Sequence, residues 1–236
     1  MNTSISRCEK DNFIAYRKIN DTSCALAWGV RSEKKHVKIL NEETQSYEFK
    51  EGTEDSGFIT YESGVYNGLI TIERIIYTIS KAAQRKPTIS EWKAVFDAVD
   101  FSEEEKLSAL KNLKIEELMA YDESSEVNDC IIVHNGEELH YWASKDERND
   151  LKNAVRDCMA MGRDTYRLDL RDNGISIGLK CELLLQMMAA LEVYAIDCYN
   201  KTTDHRFAIE VCKTEGEVDA YEFRGVGYPA KCRFEV

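Results

Sequence analysis

Apolar residues near the start of the chain fall in short segments separated by polar turns, a pattern typical of β-strands. Aromatic and β-branched residues concentrate in segments 13–19 and 24–30. Two further apolar segments, 36–40 and 47–49, flank another polar turn. The pattern predicts a small antiparallel sheet, and we expect a β-rich N-terminal domain over residues 1–66.

A helical period begins near residue 69. Isoleucine recurs there at intervals of three and four residues, which places these side chains on one face of a helix. The residues concerned are Ile72, Ile75, Ile76 and Ile79. Pro87 is expected to end this helix, because proline lacks the backbone N–H that a further helical turn needs.

Two motifs downstream have the form of capping boxes. In a capping box a hydroxyl accepts a hydrogen bond from a backbone N–H, and a glutamate three residues later bonds back. The pairs are Thr88 with Glu91 and Ser102 with Glu105. They predict a short helix over residues 92–99 and a longer one over 104–121. We therefore expect a helical segment over residues 67–121, followed by a polar boundary at 122–128.

An Asn-Gly pair marks a hairpin at the start of the second half. Asn135 and Gly136 lie within the segment 131–142, and the type I′ turn of a hairpin needs positive φ at both central residues. A Ser-x-x-Glu capping box beginning at Ser144 then predicts a helix. That helix has one apolar stripe and ends at Gly162.

A second Asn-Gly pair joins residues 165–172 to residues 175–180. A two-residue turn at this pair fixes the register of the hairpin. The predicted cross-strand pairs are Leu170 with Ile177 and Leu168 with Leu179. The side chains then divide between a dry face and a wet face, as a hairpin packed against a helix requires. The dry face comprises Tyr166, Leu168, Leu170, Ile175, Ile177 and Leu179, and the wet face comprises Arg167, Asp169, Arg171, Ser176 and Lys180.

Residues 181–212 have the period of a single helix of about 30 residues, roughly 45 Å long at 1.5 Å per residue. Its main apolar arc comprises Leu183, Leu184, Met187, Met188, Leu191, Tyr194, Ala195 and Cys198. Three more apolar side chains, Leu185, Val193 and Ile196, fall within or beside the polar sector. A helix that is apolar around most of its circumference is usually covered on more than one side. Either its own domain covers these three residues, or they form a subunit interface.

The end of the chain predicts a short helix over 217–223 and a final strand near 231–236, where apolar and charged residues alternate. The C-terminal domain, residues 127–236, is therefore expected to be a ββαββα unit with a closing strand and one long central helix. Together with the β-rich N-terminal domain and the helical segment, this predicts an α+β fold.

Several short segments of the second half form a characteristic succession. They are residues 120–122, residues 125–128, the hairpin before Trp142, and a Leu-Glu-x-Tyr-Ala-x-x-Cys-Tyr-Asn-x-Thr-x-x-His block at 191–205. This succession resembles a domain-of-unknown-function family at the C-terminus of tail and tail-fibre-region proteins of tailed bacteriophages and prophages, many from gut Bacteroidetes. The resemblance covers residues 118–236, and a weaker likeness extends over residues 60–114.

The resemblance implies a component of a virion tail, fibre or appendage, or a protein that helps to build one. The family has no accepted catalytic residues to transfer. We therefore expect a structural and interaction protein, made in the bacterial host cytoplasm and carried in the virion. The expected partners are other phage tail or virion proteins and further copies of the chain in a homo-oligomer.

Acidic residues outnumber basic ones by 43 to 31, and the formal net charge is −12. This excess opposes the binding of nucleic acids and of anionic membranes, so we expect neither as a partner. No apolar stretch reaches the roughly 18 residues that a transmembrane helix needs. The eight cysteines contain no Cys-x-x-Cys pair and, without an apolar secretory segment, indicate reduced thiols in a cytoplasm.

No residue pattern predicts a reaction. His134 and His140 fall on opposite faces of the predicted hairpin, so they cannot bind one ion together. Cys198 and His205 are two helical turns apart, too far for a nucleophile and its base. A polar set on the long helix is interpreted as packing: Tyr194, Cys198, Tyr199, Asn200, Thr203 and His205. We expect a protein that is not an enzyme, with no catalytic, cofactor or metal site.

Two alternative functions remain open. One is a fibre-assembly chaperone that is absent from the mature particle. The other is a host-surface module in which the N-terminal sheet presents Tyr16, Trp28 and Tyr47 to glycans.

Overall fold

A computed structural model shows the architecture of the chain. It describes residues 3–9, 16–20, 23–41, 46–67, 70–83, 85–99, 101–170 and 173–236. The described residues form six helices and nine strands in three small sheets, which confirms the α+β class. The chain groups into two compact units, the first of Met1–Lys114 with Lys213–Ala220 and the second of Ile115–Cys212 with Tyr221–Val236.

The first unit contains a four-stranded antiparallel sheet, as predicted. Its strands are β1 (Thr3–Glu9), β2 (Tyr16–Asn20), β3 (Ser23–Asn41) and β4 (Ser46–Asn67), in the spatial order β1-β4-β3-β2. Segments 24–30 and 36–40, predicted as two strands, lie in the single strand β3. Pairing with β4 carries β3 through the polar residues between them, and register shifts absorb the irregularity. The strand β1 had no counterpart in the prediction, and residues 13–15 lie outside the described part.

Three helices follow the sheet in sequence. They are α1 (Ile72–Ala82), α2 (Ile89–Ala98) and α3 (Glu103–Asp122). The predicted capping box of Thr88 and Glu91 is present at the start of α2. At the start of α3 the Ser102 hydroxyl accepts a hydrogen bond from the Glu105 N–H at 3.3 Å. Local hydrogen bonding therefore determines where these helices begin.

The second unit contains the last part of α3 and then the predicted hairpin of β5 (Cys130–His134) and β6 (Glu137–Tyr141). Asn135 and Gly136 have φ of 53° and 83°, as the type I′ turn requires. The helix α4 (Lys145–Ala160) follows, and its capping box of Ser144 and Glu147 is formed. This part of the fold agrees with the sequence in both element type and register.

The second hairpin, β7 (Thr165–Leu170) with β8 (Ile175–Lys180), has a different register from the predicted one. Leu170 pairs with Ile175, and Leu168 pairs with Ile177. The predicted pairing was wrong because four residues, 171–174, separate the strands instead of the two of a tight turn. The shift is two residues, so the described side chains keep their predicted faces, and Arg171 lies outside the described residues. Leu168, Leu170, Ile177 and Leu179 are buried, whereas Arg167, Asp169, Ser176 and Lys180 are exposed.

The helix α5 (Cys181–Val211) follows this hairpin directly and is continuous over 31 residues. The short helix α6 (Glu215–Ala220) belongs to the first unit. The last strand, β9 (Arg233–Glu235), pairs in parallel with β5. Two core clusters hold the second unit together along α5. One cluster joins residues of β5, β6, β7 and β8 to Leu184, Met187, Met188 and Leu191 of α5. The other includes Tyr194, Cys198 and Ile209 of α5.

Candidate functional site

The long helix α5 has two faces of different character. Side chains at intervals of three and four residues are buried in the second unit and form its inner face. The inner face comprises Leu184, Met187, Met188, Leu191, Tyr194, Cys198, Thr202, His205 and Ile209. Most of these residues belong to the predicted apolar arc. The inner face fixes the helix in the core and turns the opposite side outward.

The outer face of α5 is the candidate functional site. It carries five large apolar side chains, each at least half exposed. They are Val193 (59%), Ile196 (50%), Tyr199 (67%), Phe207 (60%) and Val211 (72%). Single exposed apolar residues are common on protein surfaces, whereas the row of them along one helix makes this face the candidate surface for binding a partner.

The three residues predicted to form a subunit interface are placed differently from one another. Val193 and Ile196 lie on the outer face. Leu185 is half-buried and packs against the core cluster that contains Leu184 and Met188. It therefore lies at the border of the inner face.

A buried cation anchors the first half of α5. Arg148 of α4 is 4% exposed, and its Nε donates to Glu192 Oε2 at 3.0 Å. Its Nη1 donates to the carbonyl oxygen of Ala143 at 2.6 Å, and Lys152 Nζ lies 3.6 Å from Glu192 Oε2. The hydrogen bond from Arg148 holds the pKa of the Glu192 carboxyl below its ordinary value. This contact ties α5 to α4 beside the apolar inner face.

A buried histidine anchors the second half. His205 is 3% exposed, its Nδ1 lies 2.7 Å from Tyr221 Oη, and its Nε2 lies 2.8 Å from the carbonyl oxygen of Val226. Since a carbonyl only accepts, Nε2 carries a proton and donates. The ring of Tyr228 stacks on the imidazole with centroids 5.6 Å apart. Both ring nitrogens are thus engaged in holding the segment 221–228 against α5.

Two more polar groups of the inner face bond within the second unit. Thr202 Oγ1 donates to Asp122 Oδ1 at 2.6 Å, and Tyr194 Oη donates to the carbonyl oxygen of Val127 at 2.8 Å. Burial raises the pKa of the Tyr194 hydroxyl and of the Cys198 thiol. A buried, protonated thiol is a poor nucleophile. With the ring nitrogens of His205 already bonded, Cys198 and His205 do not form a nucleophile–base pair.

An open cleft of about 600 Å³ lies beside α4, lined in part by Tyr141, Glu147 and Asp169. Glu147 Oε2 accepts the Ser144 N–H at 2.8 Å, and Asp169 Oδ1 accepts from Arg167 Nε at 2.7 Å. Burial raises the pKa of Tyr141 to about 12. Glu147 thus caps a helix and Asp169 takes part in an ion pair within the hairpin, so both carboxylates have structural partners.

The histidine pair of the first hairpin has separate partners. His140 Nδ1 lies 2.8 Å from Asp129 Oδ2, whereas His134 Nδ1 lies 3.4 Å from the carbonyl oxygen of Val236. Across the residues that the structure describes, no group of three or more His, Cys, Asp or Glu side chains could hold a metal ion.

The aromatic residues of the glycan hypothesis include one that is buried. Trp28 is 2% exposed, and its Nε1 donates to Glu62 Oε2 at 3.0 Å. A ring in this position cannot stack on a sugar while the sheet is folded. The side chains of Tyr16 and Tyr47 lie outside the described part of the structure.

Tyr199, Phe207 and Val211 belong to the outer face but were not among the predicted interface residues. The sequence pattern that could have identified them is the spacing of apolar residues at intervals of three and four, which continues beyond Ile196. Polar residues within the same sector, such as Asn200 and Asp204, concealed that continuation.

Comparisons with protein-family models, curated proteins and solved structures found no match for this chain. No helix among the described residues has the length and apolar character needed to cross a membrane. Function is therefore inferred from the geometry of α5 and from the resemblance of the second half of the sequence.

Proposed function

We propose that this chain is a non-enzymatic structural component of a bacteriophage virion, in its tail or tail fibre, and that it acts by docking onto other proteins. The observation that carries the proposal is the exposed apolar outer face of α5. The resemblance of residues 118–236 to the phage tail-fibre-region family supplies the biological setting. The partners are other tail or virion proteins and further copies of the chain.

The outer face is suited to docking because it is both apolar and rigid. Fully burying a large apolar side chain contributes about 1.5–3 kcal/mol, and each of these five side chains still has half or more of its surface to bury. Arg148 and His205 hold the helix from its inner side, so little order has to be gained on binding. A preorganised surface loses less conformational entropy when a partner docks.

The first test is the location of the protein. Purified particles are analysed by peptide mapping and by immunogold labelling, and we expect peptides of this chain together with those of the tail proteins. Presence in the infected-cell lysate but absence from particles would exclude a virion component and favour the fibre-assembly chaperone.

A second test asks whether incorporation of the protein into particles depends on the outer face of α5. Phage carrying Phe207→Glu should contain much less of the protein in its particles, because the variant places a charge in the docking surface. Met161→Glu is the matched control, since Met161 is 66% exposed but lies outside α5. Equal incorporation of both variants would show that docking does not use this face.

A further inference from the structure

The outer face of α5 follows a heptad spacing. Residues at alternating intervals of four and three are Ala189, Val193, Ile196, Asn200, Thr203 and Phe207. In heptad notation Val193, Asn200 and Phe207 occupy a positions, and Ala189, Ile196 and Thr203 occupy d positions. This 3.5-residue repeat is the pattern by which one helix packs against another helix. The spacing therefore indicates that the docking partner is itself a helix.

The buried residues of α5 occupy heptad positions other than a and d. The buried residues from Met187 onward all fall at b, c or f positions. They are Met187, Met188, Leu191, Tyr194, Cys198, Thr202, His205 and Ile209. The flanking e and g residues Asp197, Tyr199 and Asp204 are exposed. The helix thus uses b, c and f for its own core and leaves the a, d, e and g positions to a partner.

The chain itself supplies the matching helix. Exposed large apolar residues on the other described helices are isolated ones: Tyr77 on α1, Met119 on α3 and Met159 on α4. Among the described helices, α5 is therefore the one with several exposed apolar residues at a and d positions, in a row that runs from Ala189 to Phe207 and ends before Glu210. A partner with a complementary row is most directly a second copy of α5.

Asn200 determines the direction of such a pair. In a parallel, in-register pair it meets Asn200 of the second copy, and the two amides can hydrogen-bond. A centred antiparallel pair places it against Ile196, where a buried amide without a partner is costly. An antiparallel pair shifted to match Asn200 with Thr203 places Val193 against Glu210. The parallel register is the one that satisfies the amide and keeps the apolar layers together.

The flanking positions are compatible with the parallel register. There Glu192 lies near Asp197 of the second copy, and its carboxylate is already held by Arg148 at 3.0 Å and Lys152 at 3.6 Å. The positive charges of Arg148 and Lys152 offset the repulsion between the two carboxylates. Tyr199 lies near Asp204 of the second copy, where its hydroxyl can donate to the carboxylate.

The size of the face is adequate for a weak to moderate dimer. Residues 189–211 span about 33 Å at 1.5 Å per residue. A standard interface buries about 800 Å² per partner. Tyr199 and Phe207 alone, with 67% and 60% of their surface exposed, supply about 190–320 Å² of it, since an aromatic side chain buries about 150–250 Å². The remaining apolar and flanking polar residues supply the rest.

We propose that two copies of this chain associate through the outer face of α5 as a parallel, in-register, two-stranded coiled coil with Asn200 in its central polar layer. This inference rests on the proposed function, because it specifies one of the docking partners as the chain itself.

The test is the mass of the purified full-length chain in solution, measured by sedimentation over a range of concentrations. A chain of 27.1 kDa is expected to sediment as a dimer with twice that mass. Ile196→Glu should raise the dissociation constant roughly 100-fold or more, because each seam then contains an unpaired carboxylate. Val193→Glu should act similarly, and both variants should keep the wild-type circular dichroism, since their positions are 50% and 59% exposed. Met161→Glu should dimerise like the wild type.

The direction of the pair is tested by a disulfide. Asn200→Cys should form a covalent dimer on mild oxidation, because the two a positions adjoin across a parallel pair. Asp204→Cys, at an outer flanking position, should cross-link far less. None of the eight native cysteines occupies an a or d position, so the wild type serves as the background.

The outcomes separate this inference from the proposed function. A chain that is monomeric at all concentrations, a dimer that Ile196→Glu does not weaken, a trimer, or Asn200→Cys without cross-linking would each overturn the coiled-coil pairing. None of these results bears on whether the protein is in the particle. Conversely, a dimer formed by a chain that is missing from particles would support the pairing and refute the virion role.

Discussion

At the scale of single residues, Arg148 shows how one buried charge orients an element. The capping box at Ser144 predicts where α4 begins, but nothing in the local pattern indicates that Arg148 is 4% exposed. A buried guanidinium is stable only with well-placed acceptors, because removing it from water otherwise costs several kcal/mol. Glu192 and the carbonyl of Ala143 provide them. The ion pair of Arg148 with Glu192 is therefore one polar contact that joins α5 to α4 beside the apolar core.

Glu192→Gln is expected to lower the free energy of unfolding by about 2 kcal/mol at neutral pH, because it leaves a buried cation with a neutral partner. The pKa of Glu192 is lower in the folded protein than its ordinary value, chiefly because of the Arg148 hydrogen bond. Its stabilising effect is therefore complete above roughly pH 4.3, the unfolded value, and is lost as pH falls through the folded pKa.

The measurement is denaturant-induced unfolding of both proteins between pH 7 and pH 3, where the difference should close in acid. Glu210→Gln is the control, since its exposed ion pair with Arg206 should contribute less than about 0.5 kcal/mol. A difference that stays constant down to pH 3 would contradict the role of the Glu192 charge.

The cysteines provide a second prediction at this scale. All eight are free thiols, and burial is the main cause that raises the pKa of Cys130 to about 12. Because the thiolate is the reactive form, Cys130 and Cys198 should resist alkylation at pH 8 in the folded protein. Mass mapping of alkylated peptides should show these sites modified only after unfolding. Labelling of Cys130 as fast as that of half-buried Cys8 would be inconsistent with the described core.

At the scale of elements, local signals account for several helix starts and for the first hairpin turn, whereas α1 ends at Ala82, before the predicted stop at Pro87. The capping boxes at Thr88 and Ser144 are formed, and the Asn-Gly pair at 135–136 has the predicted turn geometry. These features depend on hydrogen bonds and φ values within four or five residues, so the sequence alone contains the information. The second Asn-Gly pair did not determine its register, because the connection there spans four residues.

The first turn can be tested with a matched pair of glycine substitutions. Gly136→Ala should destabilise the protein by about 1 kcal/mol or more, because φ of +83° is unfavourable for a residue with a Cβ. Gly178→Ala, in β8, should be neutral or slightly stabilising, since an added Cβ there has open space and an ordinary φ. Chemical unfolding of both variants measures the difference, and equal effects would argue against a positive-φ turn.

At the scale of the whole molecule, a net charge of −12 disfavours indiscriminate association between copies. The proposed dimer therefore needs a specific apolar face to bring two acidic chains together. The outer face of α5 has this property because its core-facing residues are confined to the opposite arc.

Self-association predicts a concentration-dependent thermal transition. The Tm of the wild type should rise with protein concentration, because dimerisation stabilises the folded state by mass action. Ile196→Glu should show a Tm that does not change with concentration, and Met161→Glu should behave like the wild type. Scanning calorimetry at several concentrations tests this, and a constant wild-type Tm would contradict dimerisation through a folded interface.

The fold class, the hairpins, the helix starts and the presence of a long, broadly apolar helix followed from the sequence. They did so because periodicity, capping and turn chemistry act over a few residues. The exposed apolar residues of the outer face were identified only in part. Val193 and Ile196 stood out from their polar neighbours, whereas Phe207 and Val211 did not.

The sequence identified the main apolar arc of α5, but only the tertiary structure decided that Val193 and Ile196 stay uncovered. Hydrophobicity alone does not say whether a domain covers one side of a broadly apolar helix or more than one. The choice depends on where α4, the β7–β8 hairpin and the segment 221–228 pack, and these are contacts between residues far apart in the chain. The same contacts bury Arg148 and His205 and leave Val193, Ile196 and Phe207 at the surface.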